Sequence, residues 1–270
     1  MAILDDLTNK HCTVELEGHV LIATMNRPEK KNALSADMLV GLADAFDRVD
    51  DDDDIRCAIL TGAGGNFSTG ADLIAMGTPS EDPHVQERMA AGDDLHWKAL
   101  LRNHRLSKPL IAAVEGYAVA GGTEMLMGTD IRIAAETATF GVWEARRALF
   151  PLGGSACRLP RQIPYTVAMD ILLSARPVSA HEAKEIGLIG RIAPEGGALD
   201  LARTVAEQVA ANGPLSNQAI LRAWRETEHM SDADAMAHQD AIGWEVMASD
   251  DAAEGSKAFA EKRDPVYKGR

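Results

Sequence analysis

The stretch from Lys108 to Glu144 constrains the fold more than any other part of the chain. It begins with an unbroken apolar run, Pro109 to Val114, of the kind that forms a strand buried on both faces. A small-residue turn follows, Gly116-Tyr117-Ala118-Val119-Ala120-Gly121-Gly122, and then a helix opening, Thr123-Glu124-Met125-Leu126. A strand that runs through glycines into a helix leaves backbone N–H groups unpaired at the positive end of the helix dipole, and such an end attracts negative charge. A second strand is predicted over Asp130 to Ala134, then a turn at Thr139-Phe140-Gly141, and after it a second carboxylate, Glu144. Two glutamates and a donor-rich turn in one short segment point to acid/base chemistry on a carbonyl substrate.

The remaining segments supply a frame for that stretch. Cys12 to Met25 reads as two strands turned near Glu17-Gly18-His19, ended by Asn26-Arg27-Pro28. Ser35 is placed to cap a helix carrying Met38, Leu39, Leu42, Ala45, Phe46 and Val49 at helical spacing, and Asp50 to Asp54 stops it as a solvated loop. Ile55 to Thr61 is another buried-strand run, followed by Gly62-Ala63-Gly64-Gly65-Asn66-Phe67-Ser68-Thr69-Gly70-Ala71-Asp72. The dinucleotide fingerprint fails there because its third glycine falls on Phe67, and a P-loop fails because no Lys-Ser/Thr follows Gly70. The loop Thr78 to Pro83 and a mostly helical stretch, His84 to Leu106, can serve as a lid. Phe150-Pro151-Leu152-Gly153-Gly154 opens a further helix, Ser179-Ala180-His181-Glu182 has a capping-box pattern, and Ile189 to Ala193 is a last strand. From about Gly197 onward the pattern is helical, broken at Gly213-Pro214 and Ser231-Asp232. Alternating strands and helices followed by a helical tail argue for an α/β core with a C-terminal helical part.

Charge and cysteine content narrow the class of partner. Lys and Arg number 27 against 41 Asp and Glu, a formal net charge of -14, so nucleic acid and anionic membranes are poor partners. Only 4% of residues are aromatic, which leaves few stacking platforms for bases. Cys12, Cys57 and Cys157 are widely spaced and form no CxxC pair, the pattern of reduced thiols and not of a metal or redox site. The opening Met-Ala-Ile-Leu-Asp-Asp has no basic region followed by a long apolar one, and the expected location is cytoplasmic.

Five segments together carry a resemblance. Asn26-Arg27-Pro28, Phe67-Ser68-Thr69-Gly70-Ala71-Asp72, Gly116 to Glu124, Phe140-Gly141-Val142-Trp143-Glu144 and Phe259-Ala260-Glu261-Lys262-Arg263 stand in an order and spacing similar to the crotonase (enoyl-CoA hydratase/isomerase) superfamily, over nearly the whole chain. The resemblance implies an α/β fold with a crotonase-like core of repeated ββα units over residues 1–196, arranged as two roughly perpendicular sheets. It also implies a C-terminal helical region over 197–270 that builds trimers, often paired into hexamers. The implied substrate is a coenzyme A thioester, with no permanently bound cofactor and no metal.

By position in the family's motifs, the backbone N–H groups of Ala71 and Gly121 would form an oxyanion hole, Glu124 would act on water and Glu144 on the C2 proton. Arg27, Lys30 and Lys31 would lie near the CoA phosphates together with the Ala71 loop, while Phe259 and Lys262 would reach the CoA of a neighbouring subunit. Ala120 stands where the family often has a third glycine, and Trp143 where hydratases often have Pro. Two carboxylates suit hydration of a 2-enoyl thioester, whereas an isomerase needs only one base. The alternatives are an isomerase, another acyl-CoA enzyme of the superfamily such as a thioester hydrolase, or a non-catalytic acyl-CoA-binding homologue.

Overall fold

Strands that read as continuous apolar runs form the centre of the molecule, because both of their faces are covered. The computed structural model describes residues 2–74, 78–92 and 94–270; Asp93, inside the predicted helical stretch His84 to Leu106, lies outside them. The strands are β1 (Ala2–Ile3), β2 (Cys12–Glu17), β3 (Val20–Met25), β4 (Cys57–Gly62), β5 (Leu110–Val114), β6 (Tyr117–Val119), β7 (Ile131–Ala135), β8 (Thr139–Gly141), β9 (Val178–Ser179) and β10 (Arg191–Ala193). The helices are α1 (Ala36–Asp51), α2 (Pro83–Ala90), α3 (Leu95–Ala99), α4 (Gly121–Leu126), α5 (Ser155–Gln162), α6 (Tyr165–Ser174), α7 (Ala180–Glu185), α8 (Ala198–Ala211), α9 (Pro214–Thr227), α10 (Asp232–Met247) and α11 (Asp250–Glu261).

The larger sheet has seven strands in the order β1-β2-β3-β4-β5-β7-β10. β1, β2 and β3 pair antiparallel, and from β3 onward the neighbours run parallel. Alternation along the strands divides the core in two. Leu21, Ala58, Leu60, Ala112 and Val114 face α1 and its neighbours, whereas Ile22, Ile59, Ile111 and Ile133 face α8. α8 meets that face with Ala198, Ala202, Ala206 and Ala210 at four-residue spacing, a small-residue stripe that lets the helix sit close to the sheet. The helical region after residue 197 therefore begins with a helix that closes the sheet's second face, and α9, α10 and α11 extend beyond it.

The smaller sheet, β6-β8-β9, carries the chemistry-bearing turns. Thr139-Phe140-Gly141, predicted as a turn, is instead the strand β8, which pairs in parallel with β6 inside the other predicted turn. Three residues are too few to show a period, and it is the burial of Phe140 and the pairing with Tyr117 to Val119 that make them strands.

Two caps form as the sequence suggests. Ser35 Oγ accepts from Met38 N–H at the start of α1, and Ser179 Oγ accepts from Glu182 N–H at the start of α7. The Asp50 to Asp54 run does more than face solvent. Asp50 accepts from Ser107 N–H and Oγ, both at 2.7 Å, and pairs with His104 at 3.0 Å, so the irregular segment before β5 is fastened to the end of α1. α2 is tied to α1 in a similar way, through Arg88 to Asp44 and Asp47. Among the described residues no helix is long and apolar enough to cross a membrane.

Candidate functional site

Two glycine-containing loops run side by side at the edge of the smaller sheet. Ser68 bridges in parallel to Ala118, with Ser68 N–H donating to Tyr117 O at 2.9 Å and Val119 N–H donating to Ser68 O at 3.0 Å. The approach is so close that a Cβ on Gly122 would lie 2.4 Å from Ser68 O, and one on Gly70 would lie 2.6 Å from Gly121 N. Gly70 also has φ +78°, which an L side chain resists. Ser68 Oγ accepts the Gly70 N–H at 3.2 Å and itself donates to Asn32 O at 2.8 Å. The next amide, Ala71 N–H, has no hydrogen-bond partner among the described residues, and neither does Gly121 N–H at the first position of α4. The two open donors are neighbours, since a Cβ built on Gly121 would sit 3.7 Å from Ala71 N.

Ala120 holds the second of these loops in an unusual conformation, φ +51° and ψ -125°. That region is costly for any residue with a Cβ, by about 1–3 kcal/mol, and survives only where the surroundings enforce it. Here Ala120 N–H donates to Gly141 O at 2.8 Å and Ala120 O accepts from Glu124 N–H at 3.0 Å, so β8 and α4 fix it from both sides. Thr123 adds to the clamp: its hydroxyl donates to Ala118 O at 2.6 Å and accepts from Gly141 N–H at 3.2 Å.

Glu124, one turn into α4, is buried, and three donors converge on its carboxylate. Oε2 accepts from Gly153 N–H at 3.0 Å, and Oε1 accepts from Ser155 N–H at 3.1 Å and from Ser155 Oγ at 2.9 Å. Gly153 is needed as glycine, because a Cβ there would fall 2.4 Å from Glu124 Oε2. Glu144 opens a single helical turn, Glu144–Arg147, after β8, and is only half-buried. Its Oε2 is nevertheless enclosed without a hydrogen-bond partner among the described residues. Burial, and after it the charge of Glu124, push the Glu144 carboxyl up to about 7. Two carboxyl groups thus share one site in different states of hydrogen bonding.

An aromatic and cationic row lies beside them. Lys31 Nζ sits 4.6 Å from the centre of the Tyr117 ring, Tyr117 meets Trp143 edge-on at 6.2 Å, and the Arg146 guanidinium lies 4.8 Å from the Trp143 ring. The Trp143 indole lies against Gly141, where an added Cβ would be 2.2 Å from its Nε1.

The sequence-nominated binding residues divide into two groups. Lys30 and Lys31 are exposed at the mouth of the loop before α1. Arg27 is committed within the chain: its Nη1 donates to Asp72 Oδ2 at 2.8 Å and to Ala33 O at 3.1 Å, which ties the 27–33 loop to the residue after Ala71. Phe259 and Lys262 lie apart, near the end of α11, with Phe259 87% exposed and Lys262 capping the helix in the left-handed region. Gly153, Ser155 and Asn32 were not nominated. Asn32 is fully buried at φ +54°, accepts from Arg27 N–H and donates to Ala63 O and Asn66 O, so it staples the two loops. An Asn just after a basic loop is a weak signal for such a role, and only its left-handed backbone makes it distinctive. Among the described residues no group of three or more His, Cys, Asp or Glu could hold a metal ion, and the Cys12 and Cys57 thiols are buried and pushed up to about 12.

Comparison with known proteins accounts for this arrangement. A family model described as enoyl-CoA hydratase/isomerase matches residues 15–270. The chain belongs to that family. An enoyl-CoA hydratase of Mycobacterium tuberculosis is 54% identical over 95% of this chain and 96% of its own length. An (E)-benzylidenesuccinyl-CoA hydratase of Thauera aromatica is 38% identical over 95% of this chain and 98% of its own. A crystal structure of an M. tuberculosis enoyl-CoA hydratase, 40% identical, superposes with a TM-score of 0.88 over 97% of this chain and all of its own. The α/β core, the small sheet and the C-terminal helices are thus the family's fold.

Proposed function

We propose that this chain is an enoyl-CoA hydratase that adds water across the 2,3 double bond of a 2-enoyl-CoA thioester. The observation that carries the reading is the pair of carboxyl groups beside two open amides: Glu124 held by three donors, Glu144 pushed up to about 7. Addition of water at C3 moves negative charge onto the thioester oxygen. The Ala71 and Gly121 N–H groups stabilise that charge as it forms, and each such donor contributes about 3–4 kcal/mol in comparable sites. Glu124 orients the water and takes its proton while the C3–O bond forms, and Glu144 gives its proton to C2. Transfer of one proton from Glu124 back to Glu144 restores the starting state. No permanently bound cofactor is needed, because the thioester brings its own electron sink.

CoA itself would be gripped at its phosphates by the exposed Lys30 and Lys31, with Arg27 and Asp72 holding the shape of the loop that presents them. Phe259 and Lys262 would serve a neighbouring subunit's CoA, since in one chain the Phe259 ring is left almost wholly exposed. This fits a cytoplasmic trimer or hexamer in which residues 1–196 supply the catalytic turns and 197–270 the helices that join subunits. The relatives named as hydratases of CoA thioesters support the same reaction class.

The test is loss of the conjugated enoyl-thioester absorbance of crotonyl-CoA and of a longer 2-enoyl-CoA. Wild type is expected to turn over at least one of them, and Glu144→Gln to lower kcat by about 10²–10⁴-fold, the range for a removed general acid. Binding without turnover by wild type would overturn the hydratase reading in favour of an isomerase, a hydrolase or a non-catalytic binder.

A further inference from the structure

The hydroxyl of Ser155 is the one donor to Glu124 that the backbone does not supply. Gly153 N–H and Ser155 N–H would approach the carboxylate whatever side chain stood at 155, because Gly154, at φ +113°, turns the chain so that both amides face inward at the start of α5. The hydroxyl is a separate choice of sequence. Ser155 is fully buried, its Oγ lies 2.9 Å from Glu124 Oε1, and that carboxylate is the hydroxyl's only hydrogen-bond partner among the described residues. A carboxylate offers about four acceptor directions. Three are filled here by donors fixed to the start of α5 and the turn before it, and one is left.

We propose that Ser155 is a positioning residue for hydration: by filling the third acceptor direction of Glu124 it leaves a single one for the attacking water, and so fixes the line along which that water meets C3. The role rests on the hydratase reading given above. Terminal torsions of a Glu side chain are broad, and a carboxylate free to rock presents its water over a range of angles. Displacement of a reacting atom by about 1 Å can cost on the order of 10²-fold in rate. The hydroxyl makes no contact with the thioester in this scheme, so its loss should leave binding alone.

Steady-state hydration by Ser155→Ala and Ser155→Gly tests this, together with Ser155→Ala in a Glu124→Asp background, where the shortened carboxylate has withdrawn from the hydroxyl. Both single variants are expected to lose about 10-fold in kcat with KM within about twofold of wild type. In the Glu124→Asp background the same substitution is expected to change kcat by less than about twofold, the non-additivity of two groups acting as one unit. An unchanged kcat in folded Ser155→Ala and Ser155→Gly would overturn the proposal. So would an equal loss in both backgrounds, which is what a merely structural serine would give. A wild type that hydrates no 2-enoyl-CoA overturns the underlying hydratase reading, and this role with it.

Discussion

Glu144 begins its helical turn with one carboxylate oxygen enclosed and without a hydrogen-bond partner among the described residues, within the field of Glu124. Both features favour the protonated form, and burial is the larger of the two. A general acid must hold its proton, so kcat/KM for hydration is expected to fall as pH rises through about 7, approaching tenfold per pH unit above it. The same group makes folding stability depend on pH. Its ordinary value is 4.5, so between 4.5 and about 7 the folded chain keeps a proton that the unfolded chain releases. Stability from this group is therefore lost as pH rises through that window and is constant above it. Glu144→Gln removes the dependence. At pH 8 the variant is expected to be more stable than wild type by on the order of 1–2 kcal/mol, after discounting for the solvent that screens a half-buried group, with the difference shrinking toward pH 4.5. Urea midpoints of the two proteins at both pH values check the sign; a variant less stable than wild type at pH 8 contradicts it.

At the scale of elements, the two open amides exist because two loops lie closer together than side chains allow. Gly70 is the close approach nearest the open donors, with a would-be Cβ 2.6 Å from Gly121 N and 3.0 Å from Ala120 Cβ. Gly70→Ala would both strain a backbone at φ +78° and cover one of the two donors. The expected outcome is a loss of about 10²–10³ in kcat, the range for one missing oxyanion donor, measured on the enoyl-CoA that wild type hydrates; activity within threefold of wild type would show that the Gly121 amide is not used. These dimensions explain what could be read in advance. β3, β4 and β5 were legible because strands covered on both faces are apolar without interruption, and α1 because Ser35 and its apolar positions keep helical register. β6 and β8 were not, being three residues each and held by pairing with one another. Glu124 and Glu144 were nominated through the family's motif order, since a lone glutamate in a first helical turn is ordinarily there for the dipole. Ser155 was out of reach because its partner is 31 residues away in sequence and no local pattern encodes that contact.

On the scale of the whole molecule, the last helices expose what the core would normally hide. α10 buries only Ile242, while Met236, Trp244 and Met247 stand 60%, 71% and 67% exposed. Ile220 and Trp224 of α9 are 67% and 65% exposed, and Ile220, Trp244 and Met247 line one shallow groove between the two helices. An exposed apolar cluster of this kind is a candidate contact surface for the proposed oligomer, one that has to hold against the repulsion between chains of net charge -14. Self-association through α9 and α10 would bury it. Light scattering on the purified protein is expected to give three or six times the 28.9 kDa of one chain. Trp244→Asp, which sets a charge in the groove, is expected to shift the mass toward a single chain, because an unpaired charge desolvated in an interface costs several kcal/mol in each subunit. Hydration should weaken in the same variant through a raised KM, with kcat less affected, since the two glutamates and the two amides all belong to one chain while the proposed Phe259 and Lys262 contacts come from the next. A wild-type mass of 28.9 kDa, or an unaltered oligomer in Trp244→Asp, would remove α9 and α10 as the joining surface.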